Sequence, residues 1–138
     1  MKNVVFVDTF AWLALVNKAE ERYESACKVR NQLDQQKTGL ITTDFVIVEI
    51  ANSLARLPLR MIGRKLIDFI RSSGTVEVVT ITPEIFEQAY HLFCSRNDKE
   101  WGLTDCTSFV VMEKLRLTRA FTADRHFEQA GFSILLKE

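Results

Sequence analysis

Five short runs of strand character, separated by helical patterns, constrain this chain more than any other feature. The first, NVVFVD at 3–8, is apolar without alternation, as a strand covered on both faces of a parallel sheet requires. LITT at 40–43, VEVVTI at 76–81, RAFT at 119–122 and FSILL at 132–136 follow. Between the first two runs, AWLALVNKA from residue 11 and ERYESACKVRNQLDQQ from residue 21 read as helices. The second repeats Tyr23, Ala26, Val29, Arg30 and Leu33 at helical period and stops at Gly39. Thr43 or Asp44 caps DFVIVEIANSLAR, which Pro58 ends or kinks. An amphipathic helix over 59–73 then turns Ile62, Leu66, Phe69 and Ile70 to one side and stops at Ser72-Ser73-Gly74. Thr82-Pro83 opens PEIFEQAYHLFCSR, residues 97–102 form a polar loop, Thr104 or Asp105 opens DCTSFVVMEKLR, and RHFEQA stops at Gly131. Strand and helix alternating through short connections predict an α/β fold: a single-domain three-layer α/β/α sandwich over 1–138 with a mainly parallel sheet of about five strands.

Composition narrows the function classes. A chain of 138 residues, 47% of them apolar, suits one hydrophobic core. No apolar run approaches the roughly 20 residues that span a bilayer, and the N-terminal segment is broken by Asp8 without a small-residue cleavage site, so the expectation is a soluble cytoplasmic protein with no membrane role. Cys27, Cys94 and Cys106 are odd in number and far apart, which suggests neither a disulfide framework nor a zinc site. A formal net charge of zero argues against a domain that coats nucleic acid by bulk electrostatics. It leaves room for a nuclease whose acidic pocket and basic phosphate contacts cancel.

Acids recur where parallel sheets gather ligands, at the carboxyl ends of strands. Asp8 ends the first strand, Asp124 follows RAFT, Asp105 begins the helix before RAFT, and Glu49 sits within FVIVEIA. Asp105 and Asp124 each have an ordinary role as helix-start residues, and Glu49 shares its helix with the polar Asn52, Ser53 and Arg56. Asp8 is harder to explain in that way, because a charge directly after an apolar strand is desolvated unless it has a partner. Four converging carboxylates without basic partners raise one another's pKa, so the set makes physical sense if it holds divalent cations. Oxygen donors point to Mg2+ or Mn2+, which can lower the pKa of a water and stabilise an in-line phosphodiester displacement.

VFVDTFAWLAL, TTDFVIVEIANSL, LTDCTSFVVMEKL and AFTADRHFEQAGF, in this order and across nearly the whole chain, resemble the ordered motifs of PIN-domain proteins, especially VapC-like toxins of bacterial toxin–antitoxin pairs. The resemblance implies a metal-dependent endoribonuclease acting on RNA, a homodimer, and inhibition by a small antitoxin that inserts into the active-site groove. By position it assigns Asp8, Glu49, Asp105 and Asp124 as the catalytic, metal-holding acids. It places Thr9 and Thr122 as hydroxyls supporting the first and last of them. Asn52, one turn beyond Glu49, faces either the groove or solvent. The helical stretch between Arg56 and Ser73 departs mildly from the family's usual pattern.

That stretch carries the basic cluster Arg56, Arg60, Arg64 and Lys65, with Arg71 beyond; it is either a phosphate-contacting face or a solvated one. His126 follows Asp124 closely enough to approach the site, but its two-residue offset at a helix start points elsewhere and favours a surface or packing role, as for His91. Trp12 and Trp101 read as core and loop packing, with base stacking by Trp101 the alternative. Other classes fit less well. A phosphoryl-receiver domain wants paired acids after the first strand, and here there is one. A haloacid dehalogenase-type phosphatase wants an acid at position 10, which is Phe10. A PIN-like module that binds RNA without cleaving it is opposed by the four intact acids. The RNA target is a matter of loops, and sequence alone does not name it.

Overall fold

In the computed structural model, residues 3–137 are described. The five strands among them form one sheet in the order β3-β2-β1-β4-β5, every pair parallel. They are β1 Val4–Val7, β2 Gly39–Thr43, β3 Val76–Val79, β4 Arg119–Phe121 and β5 Ser133–Ile134. The helices are α1 Thr9–Val16, α2 Tyr23–Gln35, α3 Asp44–Ser53, α4 Leu57–Ser72, α5 Pro83–Ser95, α6 Leu103–Leu115 and α7 Arg125–Gln129. The α/β expectation and the parallel sheet hold.

β1 is the central strand, and Val5, Phe6 and Val7 are fully buried, as an unalternating apolar run demands. Successive side chains point to opposite faces. Phe6 meets Phe127 of α7 at 6.2 Å between ring centroids, and Phe127 in turn packs edge-on against Phe109 of α6. On the other face Val7 shares a small cavity with Trp12 and Leu33. α1 to α4 pack among themselves, α5 to α7 form a second group, and α3 touches α6. Parallel crossovers of this kind are right-handed as a rule, and with the strand order reversing at β1 that rule puts the two groups on opposite faces of the sheet.

Several boundaries differ from the sequence reading for local reasons. α1 starts at Thr9 rather than residue 11, because Asp8 is already in the extended cap conformation. Thr43, not Asp44, caps α3 by accepting from the Val46 N–H at 3.1 Å, while Asp44 accepts from the Ile81 N–H beyond β3. Lys37, with φ 54°, turns the chain after α2; Gly39 is the first residue of β2, paired with Val4. Pro58 neither ends nor kinks a helix: α3 stops at Ser53 and Pro58 lies in the first turn of α4, where a missing N–H costs nothing. Gly102 rather than Thr104 or Asp105 caps α6. On α4, Leu66 and Ile70 are buried, but Ile62 and Phe69 are about 40% exposed, at 39% and 42%.

The α3–α4 corner closes through Gly63. A Cβ there would stand 2.9 Å from the Leu54 Cβ, closer than carbon atoms pack. Gly63→Ala improves helix propensity by about 1 kcal/mol, yet the overpacking it forces costs about 1–3 kcal/mol. The expected net result is a melting temperature a few degrees lower, read by differential scanning calorimetry; an unchanged or higher value would show that the two helices can separate freely.

Candidate active site

Pairing at the centre of the sheet brings the acids together. Chain directions diverge between β1 and β4, with β2 and β3 to one side and β5 to the other, which opens a crevice beyond the strand ends. The Asp8 N–H donates to the Phe121 carbonyl at 3.2 Å, so the residues following β1 and β4 stand level. A cleft of about 500 Å³ lies there, lined by Asp8, Glu49, Asp105 and Asp124 together with Thr9, Phe10, Leu13, Glu100 and His126.

Asp8 is 5% exposed and sits at the cap position of α1, yet its side chain makes no cap bond. Its Oδ2 instead accepts a 3.0 Å hydrogen bond from Thr122 Oγ1, and Thr122 Oγ1 in turn accepts from the Asp124 N–H at 3.1 Å. One hydroxyl therefore ties the first acid to the backbone of the last. Burial pushes the Asp8 carboxyl up to about 7, the Thr122 bond opposes this, and the charges of Asp105 and Asp124 add to it.

Asp124 caps α7, accepting from the His126 N–H at 2.9 Å, and Asp105 accepts from the Gly102 N–H at 3.2 Å. The helix-start role weighed for both acids is real, and both still face the cleft. Asp105 is also raised, chiefly by burial, with the His126 hydrogen bond acting the other way. Glu49 comes in from α3, where Thr9 Oγ1 donates to its Oε1 at 2.5 Å. Each threonine singled out by sequence thus holds one acid, although the partners are crossed: Thr9 holds Glu49, and Thr122 holds Asp8.

Two further residues join the acids, one read from sequence as peripheral and one unmarked there. His126 does not take a packing or plain surface role; Nδ1 lies 3.1 Å from Asp105 Oδ2 and 3.4 Å from Asp124 Oδ1. The two-residue offset seemed to point it away, but the cap turn at Asp124 folds it back over that carboxylate. Glu100 arrives from the loop before α6, and nothing in its local sequence marked it.

Asn52 does not line the cleft. It is exposed, in a groove between α3 and α4 that it shares with Arg60 and Arg64. Arg56 has extended backbone at the cap of α4 and is absent from that groove, so the three arginines do not form one continuous helical face. Lys65 is exposed and outside the groove as well. Trp101 is 6% exposed, donates to Gln129 at 3.0 Å and packs on Phe109, which removes it as a base-stacking platform.

The donor set fits a divalent cation. Among the described residues none of the four acids takes a lysine or arginine as ion-pair partner. One oxygen each from Asp105 and Asp124 and one nitrogen of His126 lie within 4.8 Å of one another. Adjacent ligands about 2.1 Å from one ion stand about 3 Å apart, close to the separations found here.

A crevice of carboxylates at the switch point of an all-parallel sheet defines an α/β domain with an acidic cleft beyond its central strands. A family-level comparison matches residues 5–133 to the PIN domain, and the chain belongs to the PIN-domain family. Over 131 residues it is 30% identical to the 23S rRNA-specific endonuclease VapC20 of Mycobacterium tuberculosis, in two strains, across 94% of this chain and 95% of that one. The crystal structure of VapC20, described as a sarcin–ricin loop cleaving toxin, aligns with a TM-score of 0.82 over 93% of this chain and 95% of its own. VapBC2 from Rickettsia felis, solved with a DNA fragment from its promoter, is 12% identical and aligns at 0.69 over 95% of this chain and 96% of its own, an agreement of fold. No helix among the described residues is long and apolar enough to cross a membrane.

A carboxyl raised from 3.8 to about 7 favours the folded state most below pH 3.8, and that contribution is lost as pH rises through 7. In EDTA the melting temperature should therefore fall between about pH 4 and 7 more steeply for wild type than for Asp8→Asn, which keeps the Thr122 partner without the charge. Mn2+ should restore much of the loss in wild type only. Parallel pH–stability curves for the two proteins would contradict this account of Asp8.

Proposed function

We propose that this chain is a divalent-cation-dependent endoribonuclease and the toxin of a toxin–antitoxin pair. The observation that carries the reading is the set of four carboxylates, without basic partners, at the switch point of a PIN-domain sheet. Asp8, Glu49, Asp105 and Asp124 would hold Mg2+ or Mn2+. A cation bound there supplies Lewis acidity and offsets the charge that develops on the phosphodiester.

The protein's own part is positioning. Thr122 fixes the Asp8 oxygen and the turn into Asp124, and Thr9 fixes Glu49. Among the described residues lining the cleft, Thr9 carries the one hydroxyl and spends it on Glu49, and there is no thiol. On this reading a cation-activated water is the attacking group, with hydrolysis proceeding without a covalent intermediate. Phe10 and Leu13 form an apolar wall against which a sugar or base can rest. The likeness to VapC20 makes 23S ribosomal RNA, and its sarcin–ricin loop in particular, the first substrate to test.

Arg60 and Arg64 are proposed as phosphate contacts, because their groove runs along α3, the helix that also delivers Glu49. A homodimer and a small antitoxin are proposed from the family. Six of the exposed large apolar residues, Val48, Leu57, Leu59, Met61, Ile62 and Phe69, lie on α3 and α4, and none is on α1 or α2. Such residues mark surfaces that partners cover.

Purified protein incubated with ribosomal RNA in Mg2+ or Mn2+ should cut at a defined position. EDTA should abolish cutting, and Asp8→Asn or Asp124→Asn should lower the rate by about a thousandfold or more. Persistent cleavage by both variants would refute the site. With Asp8→Asn as the inert background, adding Arg60→Glu and Arg64→Glu should weaken RNA binding and flatten its log–log salt dependence by about one to two units; an unchanged slope would remove the groove from the RNA path.

A further inference from the structure

We infer that His126 is a direct nitrogen ligand of the cation and gives the site a preference for Mn2+ over Mg2+. This rests on the nuclease reading of the cleft and deepens it. The imidazole spans the gap between two carboxylates, with Nδ1 3.1 Å from Asp105 Oδ2 and 3.4 Å from Asp124 Oδ1. Those are the spacings of neighbouring ligands around one ion, and the three atoms close a triangle within 4.8 Å. The imidazole lines the cleft itself.

Backbone geometry holds the ring there before any ion arrives. The His126 N–H donates to Asp124 Oδ1 at 2.9 Å, so the first turn of α7 aims the side chain back over its cap residue. Among the described residues Nε2 has no hydrogen-bond partner, so it can carry the ring proton once a cation takes the place of the proton between Nδ1 and Asp105. The other acids contribute oxygen only. Exchanging one oxygen for an imidazole raises affinity for first-row transition ions relative to Mg2+, which prefers an all-oxygen octahedron.

The test is pulsed electron paramagnetic resonance on untagged, Mn2+-loaded protein. A directly bound imidazole gives a 14N modulation in the electron spin echo envelope. Wild type should show it, His126→Ala and His126→Gln should lose it, and His91→Ala, which changes the only other histidine, should keep it. Calorimetric titration should show Mn2+ affinity falling by about tenfold or more in both His126 variants. Mg2+ affinity should change much less in His126→Gln, whose amide oxygen can replace the lost donor. Melting curves establish that each variant is folded, and the wild-type spectrum decides the matter even if one is not. Mn2+ bound to wild type without nitrogen coupling would overturn the inference and leave the nuclease reading intact. No Mn2+ or Mg2+ binding at all would overturn both.

Discussion

Parallel pairing of β1 with β4 is the interaction on which the site depends. Phe6 aligns with Ala120 and Val7 with Phe121, so the chain leaves both strands at the same height, and the Asp8 N–H can reach the Phe121 carbonyl. Residues separated by more than a hundred positions then share one hydroxyl, Thr122 Oγ1. A slip of one residue in that register would turn the strand's side chains to the opposite face and carry Asp8 away from Thr122. The fully buried Val5, Phe6, Val7, Ala120 and Phe121 oppose such a slip.

That precision concentrates negative charge in a place water barely reaches. Asp8 is held nearly buried with no cation of the protein's own beside it, and its carboxyl is pushed up to about 7 as a result. A structural acid would ordinarily be paired or hydrogen-bonded until its charge was favoured. Here the side-chain hydrogen bond comes from one threonine, Thr122, which orients the oxygen without neutralising it. The arrangement is unfavourable alone, and the proposed cation would supply the missing charge.

Around this rigid centre the peripheral features are of another kind. α4 begins after a real break at 54–56, carries Arg60 and Arg64 along a groove beside α3, and exposes Leu57 at 87%. Basic and apolar surface on α4, packed beside the helix that carries Glu49, suits recognition, whereas the sheet suits positioning. On the proposed reading, reaction type and target choice belong to different parts of one molecule.

Sequence alone determined the alternation of strands and helices, the parallel sheet, and the four acids, because each is written in local patterns: unalternating apolar runs, cap residues, and charges placed directly after strands. The ordered motifs added the family. Tertiary structure decided which hydroxyl serves which acid, since Thr9 lies next to Asp8 in the chain but bonds Glu49, forty residues away. It brought His126 and Glu100 into the cleft, decided for Asn52 the solvated of its two positions, took Arg56 off the helical face of Arg60 and Arg64, and moved the break between the third and fourth helices from Pro58 to 54–56. None of these was legible beforehand, because a side chain's direction at a helix cap or in a loop is set by what packs against it. Periodicity reports only which face a residue shares.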